Sequence, residues 1–108
     1  MAKIELMQGT LDMLILKTLT RGTMHGYAIA RVIQQRTDDA LQLEEGTLYP
    51  ALYRMERKGW IVSKWGRSEN NRKARYYRLT GTGRKQLNAE SEAWINLSEA
   101  IGKIMQTA

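Results

Sequence analysis

The chain has no cysteine and no phenylalanine, one proline (Pro50) and one histidine (His25). Without cysteine there is no disulfide framework, no thiolate metal site and no thiol nucleophile, a usage that fits a reducing cytosol. The single histidine has no Ser and Asp arranged around it, so it reads as a cap or packing residue and not as a catalyst. No stretch approaches the roughly 20 apolar residues of a membrane span, and the opening "MAKIELMQGT" lacks the apolar core of a signal peptide. The acidic pairs Asp38-Asp39 and Glu44-Glu45 do not have the spacing of a metal loop, and "TGTG" (80–83) lacks the Lys-Ser/Thr ending of a P-loop. The expectation is a soluble, cytoplasmic protein with no catalytic residues, metal, cofactor or membrane partner. Acids are also scarce locally. Between positions 54 and 85 only Glu56 and Glu69 face eleven Lys or Arg, whereas the rest of the chain sets nine acids against six bases.

What is present is one domain's worth of chain, 108 residues of which 43% are hydrophobic, with a net charge of +6. The basicity therefore sits in one central block and the flanks are mildly acidic. A surface charged for solubility mixes both signs. A block of one sign interleaved with aromatic residues, as in "WGRSENNRKARYYRL" (65–79), suits a polyanionic partner instead.

The periodicity predicts helices. "TLDMLILKTLTRG" (10–22) is apolar on nearly every side through Leu11, Met13, Leu14, Ile15, Leu16 and Leu19, with Thr10 as its N-cap and Gly22 as its stop. "HGYAIARVIQQR" (25–36) is a second helix with Ala28, Ile29, Val32 and Ile33 as its stripe, ending at Thr37-Asp38-Asp39. "LQL" (41–43) alternates as a very short strand. A third helix starts near Gly46-Thr47, places Pro50 in its first turn and ends at Gly59. Leu48, Ala51, Leu52 and Met55 share its inner face; Pro50, Tyr53, Arg54 and Arg57 share the outer one, flanked by Thr47 and Tyr49. "WIVSKW" and "RKARYYRLT", joined by "GRSENN", read as an antiparallel hairpin, and a last helix runs from about Thr82 to Met105.

The fold class is mainly α with a small antiparallel β-hairpin: a winged helix-turn-helix over residues 1–80, with a C-terminal dimerisation helix over 81–108. The third helix would enter a major groove, where Arg54 and Arg57 suit guanine and Thr47, Tyr49 and Tyr53 supply hydrogen bonds or methyl contacts. Arg67, Arg72, Lys73 and Arg75 on the wing would meet phosphate. Asn70 and Asn71 serve equally as turn formers or contacts. Tyr76 and Tyr77 must face opposite sides of a strand, so only one can be core, while Lys64 and Arg78 read as solvated strand positions.

In the last helix Leu87, Trp94 and Ile101 recur every seven residues, with Glu90, Leu97 and Ile104 at the matching positions. Such a helix has little of its own chain to pack on, and the first helix needs burial on every side. Pairing the two across a homodimer, through Leu11, Leu14, Ile15, Leu87, Trp94, Leu97, Ile101 and Ile104, meets both needs and predicts an inverted-repeat operator in double-stranded DNA. A winged helix acting as a protein-interaction module is the alternative, though it would expose an apolar patch on the third helix.

The ordered set "GTLDMLIL", "HGYAIA", "EEGTLYPALYRMERKGWI" and "ENNRKARYYRLTGTGR" with a short C-terminal helix resembles the PadR family of bacterial transcriptional regulators, over nearly the whole chain. The resemblance implies a dimeric winged-helix repressor whose last helix packs on the other subunit's first helix. It marks Thr47, Tyr49, Pro50, Tyr53 and Arg54 as recognition-helix residues, Tyr27 as a phosphate contact and "NNRK" as the wing tip. It further implies release from DNA by a small aromatic effector. Trp94 stands where a ligand-stacking tryptophan occurs in one branch, with Leu11, Ile15 and Ser98 as its surroundings; Ser98 replaces that branch's acidic residue, which speaks against cationic ligands. Packing in the dimer seam is the other reading of Trp94.

Overall fold

The computed structural model describes residues 8–107, so the reading of the segment 1–7 as lacking a secretory core lies outside the described residues. Four helices and three strands follow in the order α1 (Gln8–Leu19), β1 (Met24–His25), α2 (Gly26–Arg36), α3 (Glu45–Arg57), β2 (Ile61–Arg67), β3 (Lys73–Leu79) and α4 (Gly81–Met105). The apolar α1 is central and touches α2, α3, α4 and β3. Leu11, Ile15, Leu16 and Leu19 are buried there against Ile29 and Ile33 of α2, Leu48, Ala51, Leu52 and Met55 of α3, and Leu87 of α4. Each fully buried side chain of this size contributes about 1.5–3 kcal/mol relative to exposure.

Local chemistry sets the element ends. His25 caps α2, its Nδ1 accepting the Ala28 amide at 3.2 Å. Gly59, at φ +78°, takes the left-handed position that ends α3. Thr80 joins the wing to α4: its hydroxyl oxygen accepts the Gly83 amide at 3.0 Å and donates to the Gly59 carbonyl at 2.7 Å. The sheet has the order β1-β3-β2, all antiparallel, with Trp65 opposite Arg75 and Ser63 opposite Tyr77. Tyr77 is the buried tyrosine of its pair. The mainly helical architecture with a small antiparallel sheet matches the winged helix-turn-helix expected from sequence.

Several local expectations are corrected. Residues 41–43 form no strand; the Leu41 amide donates to the Thr37 hydroxyl at 3.1 Å, and Leu41 and Leu43 pack on the core from an irregular segment. The third strand is instead Met24–His25, paired with Tyr77 and Tyr76. Thr10 lies inside α1, which already begins at Gln8. Helix α3 begins at Glu45, so Pro50 sits in the second turn; the carbonyl it leaves free belongs to Gly46, which is exposed and accessible to water.

The last helix does find its own chain to pack on. Its first turns lie on α1 of the same protomer, and Leu87, Leu11 and Ile15 (0% exposed) are core residues with almost no surface left for a partner. Beyond Ser91 the helix runs out exposed for two and a half turns and more.

A Cβ on Gly83 would run into the Trp60 carbonyl oxygen, a backbone atom that cannot swing away. Gly83→Ala is therefore expected to lower unfolding free energy by about 2–4 kcal/mol, read from denaturant melts, by forcing the start of α4 off the Trp60 backbone between α3 and β2.

Candidate nucleic-acid interface

The outer face of α3 carries Thr47, Tyr49, Pro50, Tyr53 and Arg57, all exposed, with Tyr53 at 64%. The Arg57 guanidinium lies 5.8 Å from the Tyr53 ring centre, which holds it over the helix surface. Tyr49 leans on the start of α2, where a Cβ on Gly26 would meet its ring at 2.9 Å and displace it. Burial, then the neighbouring Glu45 carboxylate, holds the Tyr49 phenol above its ordinary value, so it remains a hydrogen-bond donor.

Arg54 departs from this face. Its guanidinium turns inward to form an ion pair with Asp12 of α1, whose side chain is only 4% exposed. The physical reason is the aspartate: a buried carboxylate needs a cation, and α3 brings Arg54 within reach. The Arg54 Nε–H is itself buried without an acceptor among the described residues. The expectation of Arg54 as a free guanine reader is thus corrected to an α1–α3 tie, and Arg57 is the arginine that the outer face presents. Asp12 went unnoticed in sequence because an acid inside an apolar helix gives no sign of which basic residue will meet it.

The wing closes a concavity of about 920 Å3 with α2 and α3, lined by Tyr27, Arg31, Tyr49, Trp65, Lys73 and Arg75 among others. Tyr27 is exposed on the first turn of α2, with the Arg31 guanidinium 5.8 Å from its ring centre. Asn71 takes φ +58° at the wing tip, the turn-forming role, and its carbonyl accepts from Arg67 at 3.3 Å. Asn70, Arg72 and Lys73 are exposed. Arg75 is held more firmly: it donates to Ser63 Oγ at 2.7 Å and to Glu56 at 3.3 Å, while Ser63 donates to the same carboxylate at 2.6 Å. Lys64 and Arg78 are exposed at the alternate strand positions, away from this face. Sequence reasoning missed Arg31 and Trp65. Arg31 was visible four residues after Tyr27 on one helix face, and Trp65 only through its cross-strand pairing with Arg75.

Away from the wing in sequence, the exposed part of α4 presents Trp94 (51% exposed), Leu97, Ile101 and Ile104, with Ser98 also exposed. Leu14 of α1 is half-buried. Leu11, Ile15 and Leu87, expected at the dimer seam, belong to the protomer core, and the first two are equally withdrawn from any ligand beside Trp94. Among the described residues no group of three or more His, Cys, Asp or Glu could hold a metal ion. No described helix is long and apolar enough to cross a membrane.

A helix-turn-helix with its outer helix face exposed, flanked by a basic wing, defines a DNA-binding protein of the winged-helix class. The model of the PadR-like transcriptional regulator family matches residues 15–89. An uncharacterized protein of Lysinibacillus sphaericus is 31% identical over 106 residues, spanning 98% of this chain and 97% of that one. Among solved structures, a transcriptional regulator from Clostridium thermocellum superposes with a TM-score of 0.81 at 35% identity, covering 89% of this chain and 93% of its own. A PadR family regulator from Eggerthella lenta gives 0.78 at 33% identity, with 94% and 86% covered. The chain belongs to the PadR-like family: it is a DNA-binding transcriptional regulator and not an enzyme.

Two outcomes follow from the buried pair. Arg54→Ala strands the Asp12 carboxylate and is expected to cost about 2–3 kcal/mol in denaturant melts, most of it recovered by adding Asp12→Leu. Burial pushes the Asp12 carboxyl above its ordinary 3.8, against the pull of Arg54 and Lys58. The folded chain therefore binds this proton more tightly than the unfolded one, and stability falls as pH rises from 3.8 through the raised value. The stability of the native chain relative to Asp12→Asn should decline across that window and level off above it.

Proposed function

We propose that the protein is a homodimeric, sequence-specific repressor that binds an inverted-repeat operator and leaves it when a small aromatic ligand binds. The observation that carries this reading is that the wing and the outer face of α3 border two concavities sharing Tyr49 and Arg75, one lined by Tyr27, Arg31 and the wing tip, the other by Tyr53 and Arg57. Thr47, Tyr49, Tyr53 and Arg57 read base edges in the major groove, with Pro50 packing beside them. Tyr27 at the start of α2 and Arg67, Asn70, Asn71, Arg72 and Lys73 on the wing meet the phosphate backbone. In this scheme residues 1–80 form the DNA-binding unit and 81–108 the dimerisation helix.

The dimer is supported by the α4 stripe of Trp94, Leu97, Ile101 and Ile104, an exposed apolar face that is costly to leave in water. Two copies pairing through it would set two recognition helices one helical turn of DNA apart. The effector stacks on Trp94 at the dimer centre, with Ser98 one turn further on. Ser98, in place of an acid one turn after Trp94, suits a neutral aromatic compound.

Selection from a random duplex library at near-physiological salt should enrich an inverted repeat; a motif-free pool would reduce the wing to non-specific attraction. Arg72→Ala and Lys73→Ala are expected to weaken all duplexes alike and to reduce the salt slope by about one unit each, whereas Arg57→Ala should relax one base position by about 1–3 kcal/mol. Ile101→Glu should convert the dimer to monomer in sedimentation measurements, with the folded winged helix intact.

A further inference from the structure

Tryptophan gains much from burial, yet Trp65 stands 57% exposed in the middle of β2. Its register opposite Arg75 places it on the hairpin face that also carries Ser63, Tyr77 and Lys73, the face turned toward α2 and α3. Two cations lie against the indole: Lys73 Nζ is 4.8 Å and Arg75 Cζ 5.4 Å from the ring centre. Arg75 is in turn pinned by Ser63 and Glu56, so the ring is backed by a fixed group. On the other face of the strand, Tyr76 packs over Gly66 and donates its hydroxyl proton to the Arg67 carbonyl at 2.8 Å, which stiffens the wing at this point.

A rigid, exposed apolar plate with an ammonium held at its surface matches one repeating unit of a duplex wall. The sugar ring offers an apolar face and its phosphate an anion a few ångströms away. Bases inside a duplex are stacked and show only their edges, so apart from thymine methyls deep in the major groove the sugar is the apolar surface within reach of a wing. We propose that Trp65 is a binding residue of the DNA interface, its indole covering the face of a deoxyribose while Lys73, held against the ring, meets the adjoining phosphate. This rests on the DNA-binding reading above and adds a non-ionic contact to a wing otherwise read as pure charge.

The test uses the full chain labelled with 5-fluorotryptophan, which gives three fluorine resonances from Trp60, Trp65 and Trp94, the second assigned by its loss in Trp65→Phe. The probe is the duplex pool from the last selection round. At saturation the Trp65 resonance is expected to move while that of Trp60 does not. Trp65→Ala should bind every duplex roughly tenfold more weakly at an unchanged salt slope, since apolar contact and no charge is lost, and Trp65→Phe should keep most of the affinity. An unmoved Trp65 resonance at saturation, or Trp65→Ala binding like the native chain, overturns the proposal. So does a weakening of Trp65→Ala that comes with a salt slope lower by about one, which would reduce Trp65 to a prop for Lys73. A folded native chain that retains no duplex overturns the DNA-binding reading and this inference together, and is told apart by the absence of any binding at all.

Discussion

Helix α1 is buried along Leu11, Asp12, Ile15, Leu16 and Leu19, and the remaining elements pack on that surface. Leu11, Ile15, Leu16 and Leu19 reach α2, α3, α4 and the sheet from one short helix, so none of those elements can shift without uncovering apolar surface. Asp12 adds direction to this otherwise non-directional packing. Its buried carboxylate requires a cation, and Arg54 supplies it from α3, which keys the rotation of the recognition helix about its own axis. With Arg54 drawn inward, Tyr49, Tyr53 and Arg57 are the side chains left facing outward.

The same economy of contacts prepares the concave face. Gly26 permits the Tyr49 ring to sit against the start of α2, and Glu56 gathers Ser63 and Arg75 from the two wing strands back to α3. Glu56 is one of only two acids in the basic segment, and its charge is spent inside the protein on holding the wing. The other cations of that face, including Arg57, Arg72 and Lys73, remain exposed on a scaffold whose parts are hydrogen-bonded or packed in place. A rigid presentation of charge and aromatic rings suits a duplex, whose groove dimensions leave little room for rearrangement.

The long C-terminal helix divides into two halves with different partners. Gly83 and Leu87 tie its first turns to Trp60 and α1 of the same chain, while Trp94, Leu97, Ile101 and Ile104 project beyond the core. In the proposed dimer this second half carries the assembly and the effector.

Much of this protein could be read directly from its residues. The helical stripes of α2 and α3, the alternation in the wing, the left-handed Gly59 and the one-sided charge block are all local patterns, and local patterns survive into the fold because each reflects the chain's own period and sterics. The outer residues Thr47, Tyr49, Tyr53 and Arg57 were legible for the same reason. Contacts between distant segments were not. The pairing of Asp12 with Arg54, the capture of Arg75 by Glu56, the strand at Met24–His25 in place of one at 41–43, and the burial of Leu11, Ile15 and Leu87 within a single protomer all depend on which element packs against which. A sequence states each residue's chemistry and its nearest periodic neighbours; only the packed structure decides which charge meets which across forty residues, because that choice is made by the geometry of the shared core.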